Sequence, residues 1–204
     1  MILWSMGGRF LCPNLTKEAR MTIEMLREKL AELDEGLLRK GSHPPGREFC
    51  ALEFVSQVEG REWSGQPVTM FDVRLLNDGF SNDGIRTREM LPLLAALWGS
   101  QAWSQTRQKA WTQIVVLRTV REIIAELPEL SVEVRTQCRS VRTLEEASLA
   151  TLWAVWTSAR ITEAKWAGEA AALVARTMPE GAGDMVLQRA CCIGIEAAEE
   201  TSNL

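Results

Sequence analysis

A chain of 204 residues with 46% hydrophobic residues and a formal net charge of -4 is long enough to bury a core without metal or disulfide support, and too apolar to be disordered throughout. The mild, mixed charge excludes the basic character of a typical nucleic-acid binder and the dense carboxylate of a polyanionic DNA mimic as global properties. Eight tryptophans, five phenylalanines and no tyrosine, set among abundant Ala, Leu, Glu and Arg, favour helix over strand.

The opening Met1–Cys12 is apolar but short and lacks a basic leader, so it does not read as a signal peptide. Residues 1–15 are expected to be loosely ordered. A first helix is predicted from about Thr16 to Lys40, where Ile23, Leu26, Leu30, Leu33 and Leu37 recur at 3-4-3-4 spacing beside Glu24, Arg27, Glu28, Lys29 and Glu32. Two readings fit so narrow a stripe. The helix lies on its own domain, or it pairs across a twofold axis through Ile23, Leu30 and Leu37 as a homodimer seam.

Gly41 is placed to cap that helix, and Pro44–Pro45 stops its continuation. A second helix is expected from about Arg47 to Gly60, with Phe49, Leu52, Val55 and Ser56 on one side. A third is expected from Pro67, with Met70, Phe71 and Leu75 inward and Gly79 at its end. Ser81–Gly84 reads as a loop. The next helix carries Met90–Gly99, with Pro92 in its first turn or at a kink.

Ser104 to Leu127 gives the widest apolar face, through Trp111, Ile114, Val116, Leu117, Val120, Ile123 and Ile124, and reads as the central helix. Ser131 to Arg142 is helix or irregular chain, since a lone strand would have no partner. Thr143 and Glu146 form a Thr-x-x-Glu capping pattern that opens a long helix. Its inward face changes from Leu149, Leu152, Trp153 and Trp156 to the small Ala164, Ala167, Ala170 and Ala171, which permits close helix approach. A last helix runs from about Asp184 to Glu199, and residues 200–204 are expected to fray. The sum is a single all-α domain over 1–204, an irregular bundle of six or seven helices without significant sheet. No run is long enough to span a membrane.

The five cysteines are odd in number and contain no Cys-x-x-Cys pair, which reads as a reduced, cytoplasmic chain. One segment concentrates reactive side chains: Gly-Ser-His-Pro-Pro-Gly-Arg-Glu-Phe-Cys-Ala-Leu-Glu, residues 41–53. It holds His43, the only histidine, and Cys50 and Glu53, three residues apart and so on one helical face. Across the Pro-Pro elbow the imidazole can reach the helix N-terminus, where the dipole would favour a thiolate. Imidazole, thiolate and carboxylate together could hold a divalent metal. Against that, a structural zinc site takes four ligands, the spacing matches no standard signature, and cysteine is commonly a buried packing residue. The expectation is therefore that the trio supports the elbow. No catalytic residue and no cofactor are assigned, and His43, Cys50 and Glu53 remain the only metal candidates.

The same segment, continued by Arg-Glu-Trp-Ser-Gly-Gln-Pro, Leu-Leu-Asn-Asp-Gly and Leu-Pro-Leu-Leu, resembles a family of bacterial, largely actinobacterial proteins also met in mobile elements. Its members share Gly-Ser-His, then Cys and Glu one turn apart, then Trp-Ser-Asp-His-Pro. The resemblance covers roughly residues 40 to 130. The family has no assigned activity, so it implies no reaction. Gly65 and Gln66 stand where the family has Asp-His. A carboxylate and an imidazole are thus lost, which implies a scaffold, with Trp63 as a plug.

Arg135, Arg139 and Arg142 would align as a basic stripe if helical, extended by Arg118 and Arg121. The alternative is a solvated strip balanced by Glu133, Glu145 and Glu146. Trp153, Trp156 and Trp166 could stack on bases but at helical spacing read as core. With one histidine and no tyrosine, most hydrolytic and phosphoryl-transfer mechanisms lack their acid–base groups. The expected function is non-enzymatic binding of a protein partner, in a narrower form as a phage- or element-borne inhibitor of a host defence complex. The alternatives are a metal- or thiol-dependent enzyme centred on His43, Cys50 and Glu53, and a nucleic-acid binder using the arginine stripe. Nucleic acid and membrane are not expected partners.

Overall fold

The computed structural model describes residues 17–33, 35–44, 48–61, 73–127, 130–155, 164–177 and 182–204. Among them are nine α-helices, two short 3₁₀ turns and no strand. The all-α expectation holds. The helix count exceeds six or seven because 132–140 is a helix of its own and because 143–177 is described as two helices on either side of residues 156–163.

α1 (Lys17–Leu33) packs on α4 (Asp83–Ala96). Ile23, Leu26 and Leu30 are buried there, while Glu24, Arg27, Glu28, Lys29 and Glu32 face solvent. The helix stops seven residues before Lys40. Glu35 and Gly36 turn left-handed, at φ 45° and 77°, and the Gly36 N–H closes back on the Leu30 carbonyl at 3.3 Å. Leu37 thereby leaves the stripe and is half-buried, and Leu38 enters the core instead. Of the residues expected on a twofold seam, Ile23 and Leu30 lie in the chain's own core and Leu37 is half-buried.

Residues 37–44 form a non-helical elbow that precedes α2 (Ala51–Val58), whose residues from Ala51 to Ser56 are all buried. α3 (Arg74–Gly79) is short; Leu75 is half-buried on it, and Pro67, Met70 and Phe71 lie outside the described residues. α4 starts earlier than its apolar run suggests because Asn82 caps it, its Oδ1 accepting from the Ile85 N–H at 2.9 Å. Ser81–Gly84 is thus a helix start rather than only a loop, and Pro92 lies within the helix rather than in its first turn.

α5 (Gln105–Glu122) begins at Ser104, whose Oγ accepts from Arg107 N–H at 3.1 Å, and passes into a 3₁₀ turn at Ile124–Glu126. α6 (Val132–Ser140) starts at Ser131 in the same manner. α7 (Leu144–Val155) opens on the expected capping box: Thr143 Oγ1 accepts from Glu146 N–H, and the Glu146 carboxylate accepts from Thr143 N–H, both at 3.2 Å.

α8 (Ala164–Thr177) and α9 (Ala182–Glu200) complete the chain. α5 is central as expected, packing against α6, α7, α8 and α9, and α9 is a second central helix. α9 packs against α3, α4, α5 and α8, and buries Val186, Leu187, Ala190 and every residue from Cys191 to Ile195. A helix apolar on nearly all sides belongs inside. Small residues set its spacing: a Cβ on Gly194 would lie 2.7 Å from Leu93 Cδ1, and one on Gly183 only 2.6 Å from the Ala175 carbonyl oxygen. The Gly194 carbonyl accepts from Trp111 Nε1 at 3.0 Å. At the rim, Arg118 joins Glu122 at 2.7 Å and Glu196, and Arg189 joins the same two carboxylates.

Residues 202–204, at the end expected to fray, are exposed. Thr201 is buried, its Oγ1 donating to the Ala197 carbonyl at 2.8 Å, and Ser104 Oγ donates to the Leu204 carbonyl at 3.2 Å. Buried apolar residues from α1 to α9 form one cluster. Cys50, Cys138 and Cys191 are free and buried. No described helix is long and apolar enough to cross a membrane.

Candidate functional site

The elbow, the start of α2, α3 and the first turns of α4 meet in one polar cluster. Cys50 is not on the helix, as its spacing suggested, but is its N-cap, with extended backbone at φ -73° and ψ 171°. Glu53 is then the third residue of the helix, the position from which a carboxylate reaches back to the cap. It accepts from the Cys50 N–H at 2.8 Å through Oε2.

The elbow brings three more donors. His43 Nδ1 lies 3.1 Å from the same Oε2, while the His43 N–H and Ser42 Oγ reach Oε1 at 2.9 and 3.2 Å. An ionised carboxylate only accepts, so Nδ1 carries the proton here. Glu53 has no solvent exposure at all. Burial alone would push its carboxyl up; the hydrogen bonds from Cys50 and His43 outweigh that and hold it below the usual carboxylate range. His43 and Glu53 therefore converge. Cys50 joins them through its backbone N–H.

The Cys50 thiol shows the opposite balance. Burial, aided by the negative charge of Glu53, pushes it up to about 11 in spite of the Glu53 and Leu52 backbone N–H groups beside it. The helix N-terminus was expected to favour a thiolate. Desolvation wins, because at 5% exposure the sulfur has almost no water to support a charge. The described residues contain no group of three or more His, Cys, Asp or Glu side chains placed to hold a metal.

Around this core stands a second layer whose role the sequence did not reveal. Asn77, buried on α3, accepts from Ala51 N–H at 3.3 Å and donates to the Arg39 carbonyl at 2.9 Å. Asp78 Oδ1 accepts from Gly41 N–H at 2.9 Å, where the chain turns at φ 91°. Arg86 on α4, at 2% exposure, is the largest of the fully buried side chains. It donates to the carbonyls of Asn77 at 2.6 Å, Phe80 at 3.1 Å and Leu38 at 3.4 Å, and pairs with Asp83. Asp83 also takes Arg39 Nη1 at 2.9 Å, and Thr87 Oγ1 accepts from Leu38 N–H at 2.8 Å. One signal pointed here: Arg86 stands four residues before Met90 and seven before Leu93, on an inward face. An arginine there must find carbonyls and a carboxylate.

Between elbow, α2 and α3 lies a cavity of about 160 Å³, bordered by Ser42, Cys50, Glu53, Arg74, Asn77 and Asp78.

The other candidates are dispersed. Arg139 is tied to Glu126 at 2.6 Å. Arg135 is half-buried and Arg142 exposed, while Arg118 belongs to the α5–α9 carboxylates. The side chains of Trp153, Trp156 and Trp166, and the residues Trp63, Gly65 and Gln66, lie outside what the structure describes. No family model, curated protein or solved structure matches this chain.

Proposed function

We propose that this protein is a non-enzymatic helical binding protein that recognises another protein, and that the rigid elbow is its recognition element. One observation carries the reading: Glu53, fully buried, spends both oxygens on four donors from the elbow and the cap. A carboxylate so saturated positions a loop and has little capacity left for a metal or a proton transfer. The elbow it fixes leaves Lys40, Ser42 and Pro44 exposed. Rigidly held loops are frequent sites of recognition, because little order remains to be lost on binding. The narrower form, an inhibitor borne by a phage or mobile element and aimed at a host defence complex, is supported by the resemblance alone. The cytoplasm is the compartment proposed with it.

The test is capture from bacterial lysate at physiological salt with the wild-type chain, Lys40→Glu and Pro44→Ala. A partner held by the wild type and released by the elbow variants is the expected result. Bait alone in every lane contradicts the proposal. Two side measurements separate the other readings. Stoichiometric metal or fast alkylation at Cys50 would favour the metal or thiol enzyme, and salt-sensitive retention on DNA or RNA the arginine stripe.

A further inference from the structure

We draw no further inference here: the strongest candidate, the cavity of about 160 Å³ between the elbow, the N-terminus of α2 and α3, carries nothing because Glu53 and Asn77, the buried polar side chains on its wall, already have partners within the chain, and the lone Cys50 thiol at a helix N-terminus has no second observation pointing to a ligand.

Discussion

The elbow with α2–α4 and the α5–α8–α9 packing are held together by opposite means. In the first, a buried arginine collects the carbonyls of Leu38, Asn77 and Phe80, and a buried glutamate the N–H groups of His43 and Cys50, groups that lie in the elbow or at helix ends. In the second, helices satisfy their own backbones and Gly and Ala bring them close. Polar hubs specify a single geometry but fail when one member is lost. Small-residue packing tolerates loss of polar groups and fails when volume is added. The two regions should therefore respond to different classes of substitution.

The largest effect is expected from Arg86→Met, which removes the cation from the carbonyls of Leu38, Asn77 and Phe80 and leaves Asp83 with Arg39 alone. A buried carbonyl left without its donor costs about 1–3 kcal/mol, so the loss of three such bonds should be readable as a clearly lower urea midpoint. A cost under about 1 kcal/mol would mean that water replaces the guanidinium. Next is Gly183→Ala in the other region. Its new methyl would meet a backbone oxygen, which cannot rotate away, so about 2–3 kcal/mol is expected from overpacking. Gly194→Ala meets only the end of Leu93 and should cost less, and a reversed order would break the contrast between backbone and side-chain obstacles.

Glu53→Gln follows. It keeps the shape but turns an N–H₂ group toward a donor, for about 2 kcal/mol from an unsatisfied buried group. The pH dependence has a definite sign. The folded carboxyl sits below its unfolded value, so its contribution is complete above the usual carboxylate range and is lost as pH falls through the folded value. Stability of the wild type should therefore drop more steeply in acid than that of Glu53→Gln. Parallel acid limbs would show that Glu53 has no share in it. The smallest effect is Thr143→Ala at the α7 cap, about 1 kcal/mol in thermal or urea unfolding.

The two regions also differ in how far the sequence discloses them. Periodicity located α1, α5 and α9, and Thr143–Glu146 marked the start of α7, because amphipathic stripes and caps are local signals. It overran α1, since the stop at Glu35–Gly36 is a left-handed turn that the leucine spacing conceals. It placed Cys50 inside α2 rather than at its cap for a similar reason: Phe49 and Leu52 continue the stripe across the boundary. His43 and Glu53 were legible as partners by type and proximity. Asn77, Asp78, Asp83 and Arg86 were not, because their partners are backbone atoms 26–48 residues away or brought near only by the fold. The dipole argument at Cys50 gave the wrong sign because it omitted desolvation.

Amide hydrogen exchange of His43 and Cys50 tests most directly whether Glu53 holds the elbow. Both N–H groups should be strongly protected in the wild type although His43 lies in a half-exposed loop, and Glu53→Gln should release them while the α9 amides stay protected. Wild-type exchange at these two amides as fast as in an open loop, or protection unchanged in Glu53→Gln, would contradict it.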